Sequence, residues 1–262
     1  LLFSTVLAAN IGAGTTIGAA GLAYRDGLSA WWWNGSAALG SLGLAFLVGP
    51  RIWKVAVAHN LYTVGDYLEL RYNRTVRGII ASLTWCGTLS ILAGQLIGGA
   101  AILTTVAGVP RTIGIIASAL VMTTYFVAGG LLSSAWVNLV QLVVLLGGFV
   151  VAAPMVFAGA GGVDTLATTS ATQPHAVDFF YSSGARSGWT FAFMLAPSFI
   201  ISPGLLQKAY GARDVSSLRR GIGWQALAQA LFGFLPALFG ISARLTHPGI
   251  ADPNLVLPTV FI

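Results

Sequence analysis

Long apolar runs separated by short polar stretches dominate this chain. They cover residues 1–23, 34–57, 77–107, 111–131, 134–159, 188–206 and 221–245, and an eighth begins near 255. Each reaches the roughly 20 residues that a helix needs to cross about 30 Å of hydrocarbon. A membrane β-barrel would instead show segments of about ten residues with alternating polarity. The expected fold is therefore an all-α polytopic membrane bundle, with residues 1–262 forming a single transmembrane domain. The third run exceeds a minimal span, which predicts a tilted helix. In the polar stretch 58–73, Thr63 and Asp66 have capping-box spacing, so a short interfacial helix is expected there. Gly129-Gly130 and Ser133-Ser134 are expected to separate the fourth and fifth spans. Residues 160–187, rich in Thr, Ser and Gly, read as an external loop. Both ends break off inside apolar runs, so the chain reads as a piece of a longer protein.

Composition narrows the class. Only 20 of 262 residues are charged (13 Lys+Arg and 7 Asp+Glu), 8% against about 25% in ordinary soluble domains. Such a surface suits lipid, not water, and disorder needs the opposite balance. The net charge of +6 does not point to nucleic acid, because the basic residues sit in short loops between apolar runs. One alternate set of loops holds Arg51, Lys54, Arg71, Arg74, Arg77, Lys208, Arg213, Arg219 and Arg220; the other holds Arg25, Arg111, Arg186 and Arg244. The positive-inside rule makes the first set cytoplasmic and suggests a multi-pass protein of the cell membrane. Trp31, Trp32, Trp33, Trp53, Trp136 and Trp189 fall near span ends, as interfacial aromatic residues do.

Two runs carry interruptions. In the first, Asn10-Ile11-Gly12-Ala13-Gly14 places a polar side chain and two glycines in mid-span. This composition favours local unwinding, and freed backbone carbonyls can coordinate a cation. The alternative is a small-residue packing face, Gly14-x-x-x-Gly18. The sixth run is broken by Pro197 and by Ser202-Pro203-Gly204. Interrupted segments at corresponding places in two halves point to an inverted-repeat transporter with its site at the midplane. The remaining intramembrane polar residues include Ser41, Gln95, Asn138, Gln225 and Gln229, and none is charged. No HExxH, paired intramembrane carboxylates or Ser/His/Asp set is present, so an enzyme is not expected.

Four segments in order resemble the sodium:solute symporter family. They are Ala8-Ala9-Asn10-Ile11-Gly12, Tyr62-Thr63-Val64-Gly65-Asp66-Tyr67-Leu68 with Arg71-Tyr72-Asn73, Gly129-Gly130-Leu131 through Ala135-Trp136 to Gln141, and Gln207-Lys208-Ala209 with Ala212-Arg213. The resemblance runs over essentially the whole chain and suggests a fragment of a bacterial member. It implies a LeuT-type 5+5 inverted-repeat core, of which helices 1 to 7 are present and helices 1 and 6 are discontinuous. The first repeat would be about 1–159 and the second would start near 188.

The resemblance also implies Na⁺ as coupling ion, held by the backbone carbonyls of Ala8 and Ile11, with further ligands beyond Ile262. In the sugar-carrying branch, polar or charged groups align with Gly14, Thr15, Ala38, Ser41 and Gln229, and a gate aromatic aligns with Ser198, next to Phe199. Here two of these positions are apolar and Gln229 replaces an amine, which argues against a hexose. Asn10, Thr15, Ser41, Gln95, Ser198, Ser202 and Gln229 are the candidate substrate pocket. Many members have Thr-Asp where this chain has Val137-Asn138. An amide in place of the carboxylate on the ion path suggests one Na⁺ per cycle.

The expected function is import of a small polar organic solute through the lipid bilayer by sodium-coupled alternating access. Other readings are the membrane portion of a symporter-like histidine kinase and a proton-coupled carrier, although no Asp, Glu or His is expected at mid-membrane. The sequence specifies no particular solute and no oligomeric state.

Overall fold

A computed structural model describes residues 2–162, 174–184 and 187–261, with backbone alone at 125 and 129–135. Among the described residues the fold is helical throughout, an all-α polytopic membrane protein. Five stretches are long and apolar enough to cross a membrane, or six if one bent pair counts as a single span. Seven complete spans were expected. The difference lies at the start, where 14–59 forms one 46-residue stretch.

The first expected span is broken. Helix α1 is Leu2–Asn10; Ile11 and Gly12 leave the helix, a wide π-type turn occupies Gly14–Gly18, and α2 follows at Ala19–Asp26. At Gly27 the backbone takes φ of +74°, which ends α2. A Cβ there would overlap the backbone of Ala176, so glycine is required twice over. A 3₁₀ turn at Gly27–Ala30 leads without interruption into α3 (Trp31–Gly43), which is why the first two spans merge. A second wide turn, Leu44–Val48, precedes α4 (Gly49–His59). Pro50 sits in the first turn of α4 and cannot donate back to the preceding carbonyls, so the ladder widens there.

The short helix expected near Thr63 is α5 (Val64–Arg71), opened by the reciprocal Thr63/Asp66 capping box. Asp66 also pairs with Arg77 at 3.3 Å. Removing the Thr63 hydroxyl (Thr63→Ala) should cost about 1 kcal/mol locally. The check is faster hydrogen exchange at the amides of α5, with α6 unaffected. Desolvation pushes the Asp66 carboxyl upward, but bonds from Thr63 and Tyr62 and the Arg77 charge outweigh it and hold it below the ordinary carboxylate range. Its stabilisation of α5 is therefore present above that range and lost as pH falls through the depressed value.

Helix α6 spans Arg74–Ala107 and α7 spans Arg111–Gly159. The latter corrects an expectation. Instead of a turn at Gly129-Gly130 and Ser133-Ser134, one 49-residue helix runs on, about 74 Å long. Glycine and serine weaken a helix without ending it, and no proline lies in that stretch. The two candidate spans, Arg111–Ala128 and Trp136–Gly159, lie on either side. The expected loop 160–187 falls largely outside the described residues.

The sixth span is broken as expected. Helix α8 (Phe191–Ile200) and α9 (Pro203–Tyr210) meet at 44° across Ile201 and Ser202, with Pro203 opening α9. Helices α10 (Val215–Phe232) and α11 (Phe234–Thr246) form one 32-residue stretch hinged at Gly233, and α12 is Val256–Val260.

Helix α3 packs on α8 and α10, α2 on α11, and α1 on α10 and α7. Phe149 joins the core through Phe232 and Phe239, with ring centroids 5.4 and 5.2 Å apart. A second apolar cluster gathers Val6, Leu44, Leu205, Leu206, Leu218 and Ile222. Trp31 and Trp32, the first residues of α3, pack at a tilt against Phe179 and donate their indole N–H groups to the carbonyls of Ala230 and Phe179.

Candidate functional site

The break between α1 and α2 is held by side chains. The amide of Gly12, which in a continuous helix would donate to the Ala8 carbonyl, donates to Thr15 Oγ1 at 2.8 Å. The amide of Thr15, the usual donor to the Ile11 carbonyl, turns to Gly12 at 3.1 Å. Both carbonyls are thereby released from the i+4 ladder. The next free amide, Ala13, donates to Gln95 Oε1 on α6 at 2.9 Å. Thr15 and Thr16 return their hydroxyls to the Gly12 carbonyl at 3.0 and 2.9 Å. The alternative reading of Gly14 and Gly18 as a packing face does not hold among the described residues. A Cβ on Gly14 meets nothing within 4 Å, and one on Gly18 meets only a backbone oxygen at 3.8 Å.

Ala8, Ile11, Gly12, Gln95 and Asn138 line one open cavity of about 590 Å³, bordered also by α7 and α12. The polar residues that line it carry no full charge: Thr16, Gln95, Asn138 and Gln141. That set suits a weakly held monovalent cation; the hard divalent ions favour carboxylates. No group of three His, Cys, Asp or Glu is placed to hold a metal among the described residues.

The candidate pocket residues divide. Asn10 Nδ2 donates to Gln229 Oε1 at 3.1 Å, and Gln225 Nε2 donates to the same oxygen at 2.5 Å. Asn10, Thr15 and Gln229 therefore stand at one place, the C-terminal end of α1 against α10, while Gln95 braces the break from α6. Ser41 is fully buried on α3, its hydroxyl without a hydrogen-bond partner among the described residues. Ser198 is exposed on α8 and bonds back to the Leu195 carbonyl at 2.7 Å. Ser202 lies in the bend, where its carbonyl accepts from Leu205 and Leu206. No contact brings Ser198 or Ser202 to the Asn10–Gln229 cluster among the described residues.

Two participants were not chosen from sequence. Asn34, fully buried, donates Nδ2 to the Thr15 carbonyl at 2.9 Å. Its position next to three tryptophans marks a span end, so nothing local distinguishes it from an interfacial residue. Lys208, expected in a cytoplasmic loop, lies in α9 within the bent span, and its ammonium donates to the Thr5 carbonyl of α1 at 2.8 Å. The helix simply continues four residues past the expected end. Asp26 is also buried, paired with Arg25 at 2.7 Å.

The broken first helix with its released carbonyls now stands beside a broken sixth helix, as the sequence resemblance implied. A family model described as the sodium:solute symporter family matches residues 3–259. The chain belongs to the sodium:solute symporter family. It is 26% identical over 275 residues to a sodium/glucose cotransporter of Vibrio parahaemolyticus, covering 97% of this chain and 48% of that protein. It is 28% identical over 265 residues to a sodium/pantothenate symporter of Escherichia coli, covering 95% of this chain and 53% of that protein. The chain thus spans about half the length of these curated relatives. The family and these relatives are transporters, not enzymes.

Gln95 is positioned to support the released carbonyls. Gln95→Leu removes the acceptor for the Ala13 amide and should let the break relax. Losing one hydrogen bond to a partly buried amide costs about 1 kcal/mol, so hydrogen exchange at the Ala13 amide should quicken about fivefold. Unchanged exchange at Ala13 would show that Gln95 is only a packing residue.

Proposed function

We propose that the protein is a sodium-coupled symporter importing a small polar organic solute by alternating access. The observation that supports this reading is the break at 11–18, which takes the i+4 donors from the Ala8 and Ile11 carbonyls beside a cavity that both residues line with Gln95 and Asn138. Na⁺ there would hold α1 and α2 in register, and further ligands would come from the helix that α12 begins. Asn138 offers an amide oxygen on the approach to that cavity, consistent with one Na⁺ per cycle. The two broken helices would be the first members of inverted repeats of about 1–159 and from 188 onward. The relatives are named as symporters, which favours a carrier over a sensor for a kinase. The basic segments 51–77 and 208–220, which the structure forms largely as helix ends, would face the cytoplasm of a bacterial cell.

The solute would meet amides, not charges. Gln229 Nε2, Gln225 Oε1 and Asn34 Oδ1 are buried without hydrogen-bond partners among the described residues. Together they offer one donor and two acceptors, which suits an uncharged group carrying both functions. Asn10, Thr15, Ser41, Gln95, Ser198, Ser202 and Gln229 remain the proposed solute pocket, with the first members grouped around α1 and Ser198 and Ser202 on the moving sixth helix.

Reconstituted full-length protein tests the mechanism. Uptake of a solute found by screening metabolites should require external Na⁺ and rise with an inside-negative potential, each charge contributing about 2.3 kcal/mol per 100 mV. Equal uptake in potassium alone would overturn it. A reproducible ratio of two sodium ions per solute would overturn the single-ion stoichiometry.

A further inference from the structure

We propose that Lys208 is a positioning residue that latches the N-terminal half of the broken first helix to the second half of the broken sixth. The contact joins α9 to α1 through Lys208 Nζ and the Thr5 carbonyl, 2.8 Å apart. An ammonium has three donors and no acceptor, and in apolar surroundings it needs acceptors to remain charged. No carboxylate lies within ion-pair distance of it among the described residues. Its acceptor is the backbone of α1, so its charge is committed to a helix remote in sequence. Lys208 lies in the last turn of α9, at the end of the bent span, so its ammonium is held against α1 where it could otherwise extend to the interface.

The surroundings give the contact its consequence. Thr5 lies one turn before Ala8, on the arm that carries the proposed sodium ligand. Beside it Val6 is fully buried among Leu205, Leu206 and Ala209 of α9 and Leu218 of α10. Lys208 therefore sits at the edge of an apolar plug that seals the basic side of the bundle. Access from that side requires α1 to part from α9, which breaks the Lys208–Thr5 contact and opens the cluster around Val6. The latch is a backbone contact, so any cation of sufficient reach preserves it, whereas a neutral side chain does not.

This inference builds on the alternating-access reading, and its test is chosen to separate the two. The full-length protein is placed in lipid nanodiscs with every native cysteine, Cys86 included, replaced by Ser and a reporter cysteine at Val6, in potassium buffer without solute. Labelling by a water-soluble maleimide reports opening of the plug. With Lys208 intact, labelling should be slow; with Lys208→Met it should be at least tenfold faster; with Lys208→Arg it should stay within about threefold of the parent. Should Lys208→Met fail to yield monodisperse protein, Lys208→Gln serves the same comparison. Equal labelling in the parent and the neutral variant, or equal opening in Lys208→Arg and Lys208→Met, overturns the latch. Sodium-independent uptake combined with Lys208-dependent labelling would leave the latch standing and sink the symport mechanism.

Discussion

Gly240→Val should lower the thermal midpoint of the protein more than any other single change considered. Gly240 lies on α11 where that helix crosses α2. A Cβ at this position would overlap the Ala20 carbonyl and would stand 2.7 Å from the Ala23 Cβ and 2.9 Å from the Tyr24 amide. Two of those neighbours are backbone atoms inside a helix, so neither can turn away. The helices must separate along their length, and Ala237 and Ala243, both fully buried beside Gly240, lose their contacts with it. Overpacking of this kind costs about 1–3 kcal/mol, and the branched valine lies at or above the upper end. Small residues that let backbones approach are the main source of helix association in a bilayer, so little else compensates. Gly87→Ala is the control. It sits on the exposed face of α6 with nothing within 4 Å of the added carbon, and it should be neutral or slightly stabilising. A thermal midpoint for Gly240→Val within 2 °C of the parent would show that the α2–α11 crossing does not limit stability.

Much of this crossing was hidden from sequence reasoning, while the breaks were not. Gly12 and Gly14 beside Asn10 announce unwinding because a mid-span run lacking side chains and carrying an amide has few other uses. Pro203 announces the bend between α8 and α9 for the same local reason. Thr63 and Asp66 announce a helix start because the capping box is a local four-residue device. Gly240 announces nothing, since a glycine in an apolar run is equally at home facing lipid. Its role depends on which residues of α2 arrive opposite, a tertiary fact. Lys208 was misplaced for a related reason. Charge in a membrane protein is read as loop, and only the arrival of the Thr5 carbonyl shows that a lysine can remain inside a span. The long α7 shows the converse error, since glycine and serine pairs were read as a turn where the backbone accommodates them in a helix.

The same logic predicts the largest functional effect at Gln229, the residue that joins the break to the bundle. Gln229→Leu keeps the volume and removes the oxygen that accepts from both Asn10 and Gln225. Gln225 is fully buried, so its Nε2 loses its acceptor where water does not reach. Asn10 closes α1 immediately before the released Ile11 carbonyl, so loss of its tie frees the arm proposed to carry the sodium ligands. Each abandoned donor costs about 1–3 kcal/mol, and each 1.4 kcal/mol is tenfold in affinity. Sodium-dependent uptake at fixed low sodium should therefore fall about 10- to 100-fold, with part of the loss recovered by raising sodium. Gln229→Glu distinguishes geometry from charge, because it keeps the accepting oxygen while burying a carboxylate. Its uptake should be steeply pH-dependent if the group titrates, whereas that of Gln229→Leu should be flat. A double-mutant cycle with Asn10→Ala should show coupling of about 1 kcal/mol or more, since the two side chains touch. Strict additivity of the two substitutions, or normal sodium half-saturation in Gln229→Leu, would place the polar cluster outside the ion site and leave Gln229 as a packing group between α1 and α10.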